Sequence, residues 1–190
     1  MRARALLIAA LVIAIGISLA ASLYAFLWSR DRAPDFTLAD QNQRPFTLSE
    51  QRGRVVLLFF GYTHCPDVCP ATMANLEHAI ASLGTAGKDV EVAFVTVDAK
   101  RDTPAALKRY ADLFGSNVVA LTGTAAALEK VYGAYHVFHQ DLPRRPGEST
   151  YYVAHTSAVY YIDRNGRMNG LGDWTESPDA IARRLRPLTA

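Results

Sequence analysis

Val55-Val56-Leu57-Leu58-Phe59-Phe60 is the stretch on which the fold turns. An unbroken apolar run, rich in β-branched and aromatic residues, suits a strand buried on both faces, and so a central strand. Gly61 to Pro70 follows as a turn that carries both cysteines of the chain. Ala71 to Leu83 then sets Met73, Leu76, Ala79, Ile80 and Leu83 at helical spacing. Strand, cysteine turn and helix therefore come in that order.

Upstream, Pro34 to Leu38 and Pro45 to Leu48 flank the turn-rich Asp40-Gln41-Asn42-Gln43 and read as a small β-hairpin. Downstream, Val90 to Val97 is a second strand ending at Asp98. Thr103-Pro104 opens a helix to about Phe114, with Thr103 as N-cap and proline at the first helical position. Thr124 caps another helix through Tyr132. Gln140 to Thr150, with Pro143, Pro146 and Gly147, reads as a loop, and Ala158 to Ile162 as a strand. Asn165-Gly166 favours a tight hairpin into Arg167 to Leu171, and Ser177-Pro178 begins a last helix ending near Arg186. Strands alternating with helices, then a closing hairpin and helix, give an α/β domain with a mixed central sheet flanked by helices, an order that matches thioredoxin-like architecture.

With 190 residues there is room for one compact domain and a short appendage. The formal charge is +2 and the arginines are scattered, which argues against nucleic acid as a partner. After a short basic start (residues 1–4), Ala5 to Trp28 contains no charged residue and is long enough to cross a bilayer as a helix. Tyr24 and Trp28 lie where aromatic side chains favour an interface. The expected organisation is a transmembrane anchor over 5–28, a linker over 29–33 and the folded domain over 34–190. A removable signal peptide cut near Ser18-Leu19-Ala20 is the alternative.

Cys65 and Cys69 are the chain's two cysteines, too near one another to staple distant parts of the fold. At i and i+4 their sulfurs share one face of a helical turn. They also stand where a strand ends and a helix begins, a position that favours the thiolate form. This makes the pair reactive or metal-binding rather than small hydrophobes in a core. A redox dithiol is the main rival. Thioredoxins place two residues between their cysteines where this chain has three, and a cis-proline in a late loop where this chain has His155-Thr156. Both departures point towards metal.

The stretch Gly61-Tyr62-Thr63-His64-Cys65-Pro66-Asp67-Val68-Cys69-Pro70 resembles the signature of the Sco/SenC copper chaperones. The likeness continues through Val97-Asp98 with Arg101-Asp102-Thr103, Leu121-Thr122-Gly123-Thr124 and His155-Thr156. It implies that Cys65, Cys69 and His155 bind one copper ion, and that Asp98 assists loading or partner contact. Two soft thiolates suit Cu(I) and an added imidazole keeps Cu(II) acceptable, whereas a structural zinc site closes with four protein ligands. His64 adjoins Cys65, but its side chain diverges from it, and the family does not use that position as a ligand. His78, His136 and His139 are expected at the surface. The tyrosines from Tyr132 to Tyr161 are expected in the core or at its rim.

The resemblance further implies a delivery protein, not a turnover enzyme, set in the inner membrane of a bacterium with its domain facing the periplasm. It would take copper from an upstream donor and serve the dinuclear copper centre of cytochrome c oxidase subunit II. The alternative function is a thiol-disulfide oxidoreductase that reduces the cysteines of that subunit, with Cys65 and Cys69 as the redox pair. A peroxiredoxin-type peroxidase fits less well, because Thr63 stands two residues before Cys65 instead of three. Movement of the 140–150 loop is expected to swing His155 relative to the sulfurs.

Overall fold

A computed structural model describes residues 15–19, 32–144, 147 and 150–190. The chain divides into two units, residues 1–32 and 33–190. In the first, residues 15–19 are helical and exposed. Among the described residues no helix is long and apolar enough to cross a membrane. The basic start over 1–4, the rest of the expected anchor over 5–28 and the beginning of the linker lie outside the described residues.

The second unit is built on a sheet of seven strands, β1 (Thr37–Asp40), β2 (Pro45–Thr47), β3 (Val55–Gly61), β4 (Val90–Thr96), β5 (Val118–Thr122), β8 (Val159–Ile162) and β9 (Met168–Gly172), in the order β2-β1-β5-β4-β3-β8-β9. β3, β4 and β5 run parallel, while the pairs at either side of them are antiparallel. Helices α1 (Val68–Ser82), α2 (Pro104–Asp112), α3 (Ala125–Ala134) and α4 (Pro178–Thr189) flank this sheet. A separate ribbon pairs β6 (His139–Asp141) with β7 (Val153–His155). The mixed α/β sheet expected from the alternation of elements is therefore present.

Local chemistry accounts for the element boundaries. All seven residues of β3 and all seven of β4 are buried, as a strand covered on both faces requires. Thr103, Thr124 and Ser177 each accept a hydrogen bond from the amide three residues on, at 3.2–3.3 Å, so the expected N-caps form. α1 starts at Val68, three residues earlier than its apolar spacing suggests. Pro70 is tolerated there because first-turn amides have no partner within the helix. The earlier start places Cys69 inside the helix. α4 runs on through Pro187, held in its last turn by the buried Leu185 and Thr189.

Two regions differ from expectation. β5 has no counterpart among the strands expected from the sequence, yet it pairs with β4 on one side and β1 on the other, joining the N-terminal hairpin to the sheet. The stretch expected as a loop over 140–150 begins as part of β6. Residues 145, 146, 148 and 149 of it lie outside the described residues.

Phe59 at the middle of β3 is completely buried, and its ring lies 6.1 Å from that of Phe94 on β4. Phe59→Ala should cost about 3–5 kcal/mol of stability in chemical denaturation. A change within about 0.5 kcal/mol, as for a surface substitution, would contradict this account of the core.

Candidate metal centre

β3 and β4 end side by side, Gly61 opposite Thr96, and the site is assembled beyond those ends. After Gly61 the chain turns, with the Cys65 amide donating to the Tyr62 carbonyl at 3.2 Å, and enters α1. The Cys69 amide is one of the first-turn donors that the helix leaves free, and it points at the Cys65 sulfur, 3.4 Å away. Cys65 thus does the work of an N-cap, and the partial positive charge of the helix end favours its thiolate. Cys69 is fully buried and Cys65 partly so, and both are free thiols. Gly61 makes this approach feasible, because a Cβ there would lie 2.7 Å from the Phe94 ring and 3.1 Å from the Cys69 sulfur.

The two thiols behave as one proton-sharing pair. A hydrogen bond from Cys69, with help from His155 and the neighbouring amides, outweighs burial and holds the Cys65 thiol down to about 3. The same hydrogen bond, together with burial, pushes the Cys69 thiol far above its ordinary range. One negative charge is therefore easily accommodated, on Cys65, and a second is not unless a cation arrives.

His155, the last residue of β7, brings its Nε2 to 3.5 Å from the Cys69 sulfur, across 86 residues of sequence. Its Nδ1 lies 3.0 Å from the Thr156 carbonyl oxygen. A carbonyl can only accept, so Nδ1 carries a proton there, and Nε2 is the nitrogen turned towards the sulfurs and open to a metal, the orientation in which metal-binding histidines are usually held. Tyr62 meets the imidazole edge to face, with ring centroids 5.7 Å apart. All three residues singled out in the sequence are thus gathered at one place.

Asp98 is buried at the end of β4, where its carboxylate accepts from the Tyr151 hydroxyl at 2.8 Å and from Arg101. In this conformation it holds its neighbours together and is nearly closed to solvent. His64 is half-exposed, 3.1 Å from the Thr63 hydroxyl and 3.6 Å from the Asp102 carboxylate. Among the described residues, the ligating atoms of His64, Asp98 and Asp102 all fall within 4.8 Å of one another. Both carboxylates are already engaged, however: Asp102 accepts from the Thr63 amide and hydroxyl and from the Thr96 hydroxyl. These bonds make the trio part of the frame around the cysteines.

His78 and His136 are exposed as expected. His139 is not simply a surface residue: it pairs directly with His155 in the β6–β7 ladder, packs on the Tyr132 ring at 4.5 Å and lies 3.2 Å from Glu129. Tyr132, Tyr135, Tyr160 and Tyr161 are buried, as expected for core tyrosines. Tyr62, Arg101 and Asp102 stand in the stretches that carry the resemblance but have no role assigned by it here, and Tyr151 is among the tyrosines expected in the core or at its rim. Each matters through contacts between elements distant in sequence, which no local spacing announces.

A thioredoxin-like α/β domain that sets a Cys-x3-Cys pair at the head of its first helix, facing a histidine from a late strand, defines the class. The SCO1/SenC family model matches residues 29–190, and the chain belongs to that family. It is 36% identical to an SCO2-like protein of Rickettsia prowazekii over 70% of this chain and 64% of that one. It is 32% identical to the protein SenC of Rhodobacter capsulatus over 92% of this chain and 84% of that one. Among solved structures, Bradyrhizobium japonicum ScoI with copper bound is 33% identical and superposes with a TM-score of 0.74, covering 83% of this chain and 99% of that one. The match to the Rickettsia relative spans just under two thirds of that protein's length.

Because the Cys69 hydrogen bond is the largest cause of the low Cys65 value, Cys69→Ala should move the Cys65 titration up towards the ordinary thiol range near 8.5. The rate of iodoacetamide alkylation against pH reads this directly. In the unsubstituted protein Cys65 should already react as a thiolate at about pH 5. An alkylation midpoint near 8.5 in both proteins would contradict the shared-proton account.

Proposed function

We propose that this chain is a copper metallochaperone that binds one copper ion, Cu(I) or Cu(II), through Cys65, Cys69 and His155. The observation that carries the reading is the approach of the His155 Nε2 to the Cys69 sulfur at 3.5 Å, with the other ring nitrogen committed to a carbonyl. Two thiolates and one imidazole form a soft donor set suited to copper, and three ligands fall short of the four that close a structural zinc site. Arrival of the cation would resolve the charge problem at Cys69, whose thiol proton would be released to solvent as the sulfur takes up the metal. Family membership and the copper-bound ScoI relative support the same assignment.

Delivery proceeds by ligand exchange. The ion comes from an upstream donor and leaves for a copper-accepting protein, the dinuclear copper centre of cytochrome c oxidase subunit II. His155 yields first, because imidazole holds Cu(I) less firmly than thiolate does. Residues 5–28 anchor the chain in the inner membrane of a bacterium, with the domain on the periplasmic side. A second reading is favoured by the asymmetry of the thiol pair: a poised thiolate at Cys65 beside a buried, protonated Cys69 is also the arrangement of a thiol-disulfide oxidoreductase. In that role the protein would reduce the cysteines of the same subunit before they receive metal.

His155→Ala separates the two readings. A chaperone should lose copper affinity by at least about tenfold (1.4 kcal/mol) in competition with a Cu(I) chelator, while thiol-disulfide exchange is largely retained. Cys65→Ala should abolish stoichiometric copper. Four-coordinate zinc in the purified protein, or unchanged copper affinity in His155→Ala, would overturn the chaperone reading.

A further inference from the structure

The ligands arrive on two separate pieces of chain, the cysteine turn after β3 and the β6–β7 ribbon, and one five-residue segment touches both. Asp98 to Asp102 leaves β4 as a tight helical turn: the Arg101 and Asp102 amides donate to the Asp98 carbonyl at 3.1 and 2.9 Å, and the Asp98 amide is held by the Thr96 hydroxyl at 2.9 Å. From one end of this turn the Asp102 carboxylate, completely buried, grips the cysteine side through Thr63: the amide at 3.1 Å and the hydroxyl at 2.6 Å. Arg101, the residue just before it, grips the histidine side.

The Arg101 grip has several parts. Its Nη1 donates to the Tyr151 carbonyl and to the Thr150 hydroxyl, each at 2.8 Å. Its guanidinium lies 3.6 Å from the centre of the Tyr151 ring, in cation–π contact, and 5.7 Å from the Tyr62 ring that packs on His155. Its Nε pairs with Asp98, which also receives the Tyr151 hydroxyl, so arginine, tyrosine and aspartate close a ring. Tyr151 stands two residues before the start of β7, the strand that ends at His155. The guanidinium is mostly buried, and among the described residues its Nη2 has no hydrogen-bond partner. By contrast, the Lys100–Asp141 pair that also reaches the ribbon is exposed, and pairs of that kind contribute little.

We propose that Arg101 is a positioning residue for the metal centre: by clamping Tyr151 to the Asp98–Asp102 turn, it fixes the distance at which His155 faces Cys65 and Cys69, and thereby sets how firmly the imidazole ligates copper. The inference rests on the copper reading of the three ligands and goes beyond it. Arg101 touches no ligand directly and acts through Tyr151, Tyr62 and the start of β7. Lysine cannot replace it fully, since an ammonium cannot stack on Tyr151 as a plane while donating to Asp98, Thr150 and the Tyr151 carbonyl.

The test is a double-mutant cycle of Arg101→Met and His155→Ala on the copper-loaded chain. It reads Cu(I) affinity by chelator competition and the nitrogen couplings in the electron paramagnetic resonance spectrum of the Cu(II) form. Arg101→Met alone should weaken copper by about 10–100-fold, as loss of a supporting partner typically does, and should weaken or remove the imidazole nitrogen coupling. Arg101→Lys should fall between Arg101→Met and the native chain. In a His155→Ala background Arg101→Met should cost nothing further, because its effect passes through the imidazole. A merely structural arginine would instead lower the melting temperature, leave the nitrogen coupling of the folded protein intact and cost the same in both backgrounds. That pattern would overturn the proposal. Should Arg101→Met fail to fold, Arg101→Lys and Tyr151→Leu carry the same comparison, and native couplings in both would overturn it. If His155→Ala itself retains native copper binding, the ligand assignment falls and this inference with it. If His155→Ala loses copper while Arg101→Met keeps it, only the clamp falls.

Discussion

The parallel ladder between β3 and β4 is the constraint on which the remaining structure depends. Seven residues of each strand pair in register, from Val55 opposite Val90 to Gly61 opposite Thr96, and every one of them is buried. Parallel strands end on the same side of a sheet, so the two segments that leave them emerge as neighbours. One is the cysteine turn and the other is the Asp98–Asp102 turn. A slip of one residue would reverse the facing of each side chain and separate Thr63 from Asp102. The site's precision is thus borrowed from the most deeply buried part of the fold.

On that base the electrostatics follow from a helix end. α1 begins between the two cysteines, so its free amides and positive end act on the Cys65 sulfur, while Cys69, in the helix's first turn, is drawn into the core behind Gly61. The consequence is a pair that carries one negative charge at rest and accepts a second only with a cation. His155 brings the third donor atom, Nε2, to the sulfurs, with its Nδ1 held on the Thr156 carbonyl. Copper handling and dithiol chemistry therefore draw on the same asymmetry. What tilts the balance towards metal is the imidazole that faces the sulfurs.

Much of this was legible in the residues. The run Val55 to Phe60, the threonine and serine caps, the Asn165-Gly166 turn and the cysteine spacing each have a local physical cause, and each appears in the structure where expected. β5 escaped notice because its short apolar run gains its place only by bridging the hairpin and β4. β6 escaped because His139-Gln140-Asp141 carries no alternation of apolar and polar residues. The helix start at Val68 was obscured by Pro70, a residue that ends helices in their interiors but not in their first turn. His155 was joined to the cysteines by family resemblance alone. Arg101, Asp102 and Tyr151 work through contacts spanning 39 to 53 residues, and separations of that size leave no trace in a local pattern.

The central claim is that two sulfurs and one nitrogen of this chain hold copper together. X-ray absorption at the copper edge of the loaded protein, with and without His155, tests it most directly. The account expects two sulfur neighbours and one nitrogen neighbour in the native protein, with the nitrogen lost and both sulfurs kept in His155→Ala. A sulfur-only shell in the native protein, or a nitrogen neighbour that survives removal of His155, would contradict it.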